Sequence, residues 1–600
     1  MGNPKSKLII ANYKPMSRER EAEIKNCQNC KKDFTIEPDD FAFYEKIKVP
    51  APTFCPECRM QRRLVWRNER TLYRRKCDAT GKDIVSIFAP DKNVKVYEQK
   101  YWWADKWNPL DYGQDYDFKK SFFDQFKELV AKVPLLNVFN ANAVNSDYCN
   151  FTINHKNSYL VAAGWDNEQV MYSSRVSFSK DSVDCFVCHK LELGYGNISC
   201  KNSYHLTHSV YSENCSNSAF LFDCNNCQFC FGCTNLRSRS YCIFNEQYSK
   251  EDYVEKMKEF SLGSFSNEEK FKTKFQELKK EAVHRYAHLI KCQNVIGDNI
   301  EQSKNCYYCF DLAGEAENSK WSHWGTYGLK DSYDTGPGTG GKSELAYETV
   351  SSGVNCNNHV CTITNWNCTN SQYSFNCHGS NNIFGCVSLK NNQYCIFNKQ
   401  YSKEEYEALV EKIKKQMLEV SYKDSNGRVY TYGEFFPIET SPFYYNDTVA
   451  QDYFPLTKGK AEEQGYEWKK PESKDYKITI SAKDLPDDIK DVDDSIFKEV
   501  IGCAHEGKCN HQCTTAFKII PDELQFYKKM DIALPRLCPN CRYNEKLQQR
   551  NPLKLWHRQC MCDKNHPHHT GKCPNEFETS YAPERPEIVY CESCYQREVA

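Results

Sequence analysis

The sequence predicts a multidomain, mainly β protein: a Cys/Asn-rich β-solenoid with helical inserts, flanked by two duplicated zinc-ribbon or treble-clef modules. Three observations lead there. Cys-x-x-Cys pairs stand at both ends of the chain, the two ends repeat each other, and between them Cys, Asn, Ser and aromatic residues recur at a short fixed spacing. A chain of 600 residues is itself a prior for several domains.

Residues 1–26 read as a flexible, mixed-charge tail whose Met1-Gly2 and Ser6 fit the short myristoylation pattern, with Pro4 against it. The N-terminal zinc module, 27–103, carries Cys27/Cys30 and Cys55/Cys58, four thiolates for one tetrahedral Zn²⁺. The C-terminal module, 501–600, repeats it. There 30–34 matches 513–517, Cys55/Cys58 matches Cys538/Cys541, and Arg67-Asn68 matches Arg550-Asn551. The expected second set is Cys509, Cys513, Cys538 and Cys541, with Cys503, His505 and His511 as substitutes. A third set follows in the C-terminal copy only: Cys560, Cys573, Cys591 and Cys594, with Cys562, His566, His568 and His569 competing. Its N-terminal counterpart keeps one thiol, Cys77, with Asp83, Glu98 and Tyr101 at the other positions, a site lost to ordinary packing. About three Zn²⁺ are expected, all in closed four-sulfur sites of the kind that hold a fold.

The linker 104–140 contains a helix with Phe118, Phe122, Phe126, Leu129 and Val133 on one face, stopped by Pro134. The solenoid follows as 141–248 and 293–401. In it Cys215, Cys224, Cys233 and Cys242 are each nine residues apart, as are Cys368, Cys377, Cys386 and Cys395. That spacing predicts rungs of about nine residues, two to a coil, with the period blurring upstream of Cys215. Between the halves, 249–292 is a helical insertion; 402–420 is a capping helix; 421–500 is a loop-rich connector with an acidic run.

Composition narrows function. Lys+Arg 79 against Asp+Glu 80 leaves a net charge of -1, so nucleic-acid binding would need a local patch. Arg59, Arg62, Arg63, Arg67, Arg70, Arg74 and Arg75, interleaved with Trp66 and Tyr73, offer one for RNA; the alternative is a solvated face paired with the chain's own acids. The 34 cysteines are a share below the roughly 8–10% of a disulfide scaffold. No apolar run suits a signal peptide or a membrane span, which predicts a cytoplasmic protein without membrane contact. Gly336 to Ser343 spells G-x-x-x-x-G-K-[ST], yet lacks the apolar strand before it and the helix after it that a P-loop needs. Cys224, Cys227, Cys230 and Cys233 have iron–sulfur spacing, but their copies are Cys377, Ser380, Ile383 and Cys386, so a core ladder is expected.

The run CxxC, F, FY, P, CPxCRxxR at 27–63 and again at 513–542, with WWADKWNPLDYG, YCIFNxQYSKEEY and FETSYAPERPEIVYCESCY, resembles the uncharacterised zinc-ribbon, treble-clef-like protein family of small-genome bacteria. The likeness covers most of the chain and implies the zinc sites more than a process. The expected function is a non-enzymatic, zinc-binding scaffold for a protein or RNA partner. The alternative is an enzyme or nucleotide-binding protein using the Gly336–Ser343 loop; no small-molecule substrate is identified.

Overall fold

The computed structural model describes residues 21–325, 327–470 and 476–599. Most of the expected tail, with the myristoylation pattern, lies outside the described residues; its last residues are a strand, Glu23–Asn26, paired with Asp33–Ile36.

The architecture is a mainly β solenoid with helices and cysteine-rich modules, as expected, but its coil is built differently. Glu168 faces Lys180 and Lys180 faces Glu192 in parallel register, so the tube advances one turn every 12 residues, not 18. The same step runs from Asn140 facing Thr152 to Cys230 facing Cys242, with no blurring upstream of Cys215. The second half is less regular. Its step is 11 at Leu289 facing Ile300, 13 at Lys304 facing Glu317, 14 at Tyr333 facing Tyr347, and settles at 12 from Asn357 facing Thr369 onward.

Each turn is four sides of three residues. From Cys149 to Cys233 every third residue is buried, and from Phe151 to Gly232 the residue just before each of those has a positive φ. That left-handed residue turns the corner and aims its successor into the tube. Asn and Asp tolerate the conformation best, and bulky residues such as Phe178, Tyr211 and Val187 carry a strain that only an enclosing structure sustains. Asn side chains on the corners bond along the tube: Asn358 donates to Asn370 at 2.9 Å and Asn370 to Asn382 at 3.0 Å.

The interior explains the cysteines. A tube this narrow takes compact side chains, among them Leu191, Leu206, Ile383 and His155, and its carbonyls need donors. Cys224 Sγ donates to the carbonyls of Phe222 and Cys233, both at 3.5 Å, and Cys386 Sγ to those of Phe384 at 3.5 Å and Cys395 at 3.3 Å. The nine-residue spacing is thus three sides of a turn, the step from a thiol to the carbonyl it meets in the next turn. Serine does the same with a second contact: Ser182 Oγ donates to Lys180 O at 2.9 Å and accepts from the Gly194 amide at 3.1 Å.

Each half closes with a short antiparallel pair, Cys242 facing Gln247 and Cys395 facing Gln400, and then a helix capped by serine. Ser249 accepts from the Asp252 amide at 3.0 Å to start Lys250–Met257, and Ser402 accepts from Glu405 at 3.2 Å to start Lys403–Glu419. The second inserted helix, Phe265–Glu281, buries Phe271 and Phe275 against Phe220 and Phe231 of the first half. The linker helix is Phe122–Lys132; Phe122 packs on Tyr373, Phe384 and Phe397, whereas Phe118 stays exposed.

The chain forms two compact units, each discontinuous in sequence. One joins the chain up to Asn137 with 287–469; the other joins 138–286 with the chain from Lys470 on. The N-terminal module therefore packs on the second solenoid half, and the C-terminal module on the first. The connector is divided between the units.

The interior position Ile383, fully buried beside Cys368, Cys377 and Cys386, tests the packing. Ile383→Ala costs about 2–5 kcal/mol, read as a lowered urea midpoint at unchanged zinc content.

Candidate metal centres

One local motif occurs four times, twice in each module. A hairpin knuckle opens with a residue whose amide bonds a carbonyl two residues past the knuckle's second ligand position: Cys27 to Lys32 O at 2.9 Å, Cys77 to Lys82 O at 2.8 Å, Cys503 to Thr515 O at 2.8 Å, and Cys560 to Asn575 O at 2.8 Å. The Sγ of that first cysteine then accepts the amide that precedes a helix: Cys55 N–H at 3.2 Å, Glu98 N–H at 3.3 Å, Cys538 N–H at 3.3 Å and Cys591 N–H at 3.2 Å. Cys55 and Cys538 are the N-caps of Pro56–Leu64 and Pro539–Gln548, so two sulfurs of each set sit at the positive end of a helix, where a thiolate is favoured.

These bonds correct two sequence assignments. Cys503, not Cys509, is the counterpart of Cys27, and the second set is Cys503, Cys513, Cys538 and Cys541. Cys509 instead lies with His505, His511 and Cys541. In the N-terminal counterpart of the third set the partner of Cys77 is Thr80, whose hydroxyl bonds the thiol, not Asp83, which pairs with Lys76 at 2.8 Å.

Each set of four offers sulfurs that all lie within 4.8 Å of one another, in Cys27/Cys30/Cys55/Cys58, Cys503/Cys513/Cys538/Cys541 and Cys560/Cys573/Cys591/Cys594. Zn–S bonds of about 2.3 Å give a tetrahedron with edges of about 3.8 Å. The edges here are 3.7 Å for Cys30–Cys55, 3.9 Å for Cys503–Cys541 and Cys513–Cys538, and 3.9 Å for Cys573–Cys591. Such sets can hold metal ions, zinc foremost by ligand type. Thiols this close cannot all ionise unaided. Hydrogen bonds from Cys55 and Cys58 draw Cys27 far below the usual thiol range, while the Cys27 neighbour pushes Cys55 up to about 12 and Cys58 higher. In the second set Cys538 is drawn down and Cys503 pushed up to about 12 for the same reason.

Four of the arginines after Cys58 are buried and so form neither a nucleic-acid surface nor a solvated face. Arg59, Arg62, Arg63 and Arg67 are 1%, 1%, 0% and 3% exposed. Arg59 pairs with Asp334 at 2.8 Å, Arg63 with Asp334 at 3.0 Å and Glu348 at 2.8 Å, and Arg62 with Glu348 at 2.7 Å and Glu434 at 2.9 Å. Asp334 and Glu348 belong to the solenoid, so the helix Pro56–Leu64 docks its module there. Arg75 pairs with Asp78 at 3.1 Å; Arg70 is half-buried and Arg74 exposed. In the C-terminal copy Arg542, which follows Cys541 as Arg59 follows Cys58, pairs with Asp184, and Lys546 reaches the same carboxylate at 3.1 Å.

The Gly336–Ser343 loop is a solenoid corner. Its amides are engaged: Gly336 with Thr349 O at 2.7 Å, Gly338 with Trp324 O at 3.1 Å and Lys342 with Tyr327 O at 3.1 Å. A strand, Ser343–Val350, follows where a P-loop needs a helix, and Arg67 caps the loop through Pro337 O at 3.1 Å. The Cys224 run fills the four inward positions of one turn, each thiol bonded to backbone carbonyls. Comparison with protein-family models and with curated proteins gave no match for the chain.

Losing one partner of the buried network strands the opposite charge, so Arg63→Ala or Glu348→Ala costs about 3–5 kcal/mol. The double variant should recover much of that in a denaturation cycle; equal and additive losses would mean the contact carries no coupling.

Proposed function

We propose that this protein is a zinc-binding, non-enzymatic scaffold, stapled by Zn²⁺ at Cys27/Cys30/Cys55/Cys58, Cys503/Cys513/Cys538/Cys541 and Cys560/Cys573/Cys591/Cys594. The observation that carries this reading is the closed geometry of these sets. Four sulfurs at tetrahedral spacing leave no coordination position for water or substrate, unlike a catalytic zinc. The zinc orders the helix that presents Arg59, Arg62 and Arg63, and that helix holds the solenoid. A protein is the partner favoured for the outer solenoid faces, because the arginines that would have met RNA phosphates are already spent on internal carboxylates. The first half also leaves Phe178, at a corner, 49% and Tyr204, on a side, 46% exposed, side chains suited to protein contact.

Metal analysis of the reduced, purified protein should find at least three zinc ions per chain, and chelation should lower the thermal midpoint. Less than about one zinc per chain would sink the reading. Nucleic acid recovered with the protein at low salt, and lost in Arg74→Ala, would overturn the choice of a protein partner; Lys342→Ala should change neither nucleotide binding nor stability.

Zinc must displace protons held by thiols such as Cys55 and Cys503, both near 12 in its absence. Acidification therefore releases metal, and a zinc-indicator titration should show affinity falling steadily as pH drops below 7. Affinity independent of pH between 7 and 5 would contradict thiolate ligation.

A further inference from the structure

We infer that the C-terminal module holds two thiolate-bridged two-zinc clusters, one centred on Cys541 and the other on Cys594. The inference rests on the zinc reading above and extends it from three ions to five.

Both C-terminal knuckles are expanded. Cys27 and Cys30 are separated by two residues, but Cys503 and Cys513 enclose AHEGKCNHQ, and Cys560 and Cys573 enclose MCDKNHPHHTGK. The first insertion supplies three further Cys or His donors and the second four, His568 Nε2 also lying 3.3 Å from Cys594 Sγ, and both bring donors to the rim of the existing set. His505, Cys509 and His511 gather on Cys541; Cys562, His566 and His569 gather on Cys594. In each case one thiolate belongs to two sets of four, and all donor atoms within a set lie within 4.8 Å of one another. Two tetrahedral ions sharing one sulfur need seven ligands, and each cluster supplies five Cys and two His.

The distances suit a shared vertex. Cys541 Sγ is 3.9 Å from Cys503 Sγ on one side and 3.6 Å from Cys509 Sγ on the other, both near the tetrahedral edge. On Cys594 the second side is formed by His569 Nε2 at 3.1 Å.

The histidines are prepared as ligands. His505 Nδ1 and His511 Nδ1 are buried atoms without a hydrogen-bond partner, a costly state unless a cation takes the lone pair. Nε2 of His511 lies 3.1 Å from the side-chain amide of Gln548, whose oxygen, turned toward it, would accept its proton and leave Nδ1 for the metal. His569 donates from Nδ1 to Gly571 O at 2.8 Å, which fixes the tautomer that leaves Nε2 facing Cys594. His566 Nε2 is likewise buried without a hydrogen bond, its nearest carboxylate being Glu598 at 3.5 Å. Charge favours the second ion as well. One Zn²⁺ on four thiolates leaves a formal charge of about −2, whereas two on five thiolates and two neutral imidazoles leave about −1, less to desolvate.

The test is zinc stoichiometry on the reduced full-length chain, with cadmium-113 NMR of the cadmium-exchanged protein. The expected results are five zinc ions per chain and two pairs of mutually coupled cadmium resonances, plus one uncoupled resonance lost in Cys27→Ser. His505→Ala/His511→Ala and His566→Ala/His569→Ala should each remove one ion and abolish one coupling. Three or four ions, or five with no cadmium–cadmium coupling, would overturn the bridged clusters while leaving the four-sulfur sites standing. Less than one ion would bring down both readings. The coupling is measured on the unmodified sequence, so a histidine variant that fails to fold does not decide the matter.

Discussion

The buried meeting of arginine and carboxylate is the constraint on which each unit depends. Arg59, Arg62 and Arg63 leave one short helix, Pro56–Leu64, and enter a pocket of Asp334, Glu348 and Glu434 with almost no solvent contact. Taking such charges out of water costs several kcal/mol per ion, and their attraction offsets it only when the geometry is held tightly. The helix cannot be left to settle by itself. Nine residues are too few for independent helicity in water, and the four-sulfur knuckle at its N-terminus anchors Cys55 and Cys58, the residues from which the arginines radiate.

The solenoid supplies the other half of the fit. Asp334 and Asp184, which receive Arg59 and Arg542, both stand at left-handed corners, with φ of 55° and 56°. A corner residue projects outward from the tube while its successor turns in. The backbone pattern that builds the solenoid thus also presents carboxylates at fixed places on its flank. Phe43 stacks on Tyr333 at 3.9 Å, one residue before Asp334, and Tyr172 donates to Glu523 at 2.9 Å beside Arg542. Both modules use the same scheme: aromatic contact around a buried charged centre.

What the sequence disclosed follows from how local each signal is. Cys55/Cys58 and Cys538/Cys541 were readable because ligand spacing is set within one turn of helix. Cys503 was hidden because its knuckle partner lies ten residues on, with Cys509 offering a nearer and false match. The solenoid was visible as a repeat, but its three-residue step was not, since Phe, Tyr, Val and Leu occupy corners where Asn or Gly would have marked it. Cys224, Cys227, Cys230 and Cys233 displayed that step openly while suggesting a cluster motif. The fate of the arginines had no local signal: Arg59 and Asp334 are brought together only by the tertiary fold.

The four knuckles also show that the hairpin does not depend on four thiols. The copy built on Cys77, Thr80, Glu98 and Tyr101 keeps the hairpin and both defining hydrogen bonds with a single thiol. Its helix, Gln99–Trp103, is instead fixed by Trp102, fully buried and bonded to Pro134 O at 3.1 Å, and by the strand Val96–Tyr97 paired with Leu135–Leu136. The matching C-terminal helix, Glu592–Val599, has only Cys594, Tyr595 and Val599 to bury. Both helices follow a paired strand, the C-terminal one Ile588–Tyr590 against Val283–Arg285, so the difference is the tryptophan: with it the helix is held by packing, and without it three modest side chains leave more to the sulfurs. Where the tryptophan supplies apolar contact, Thr80, Glu98 and Tyr101 stand at the ligand positions; where it is missing thiols stand there, and the expanded knuckles bring further donors to the same thiolates.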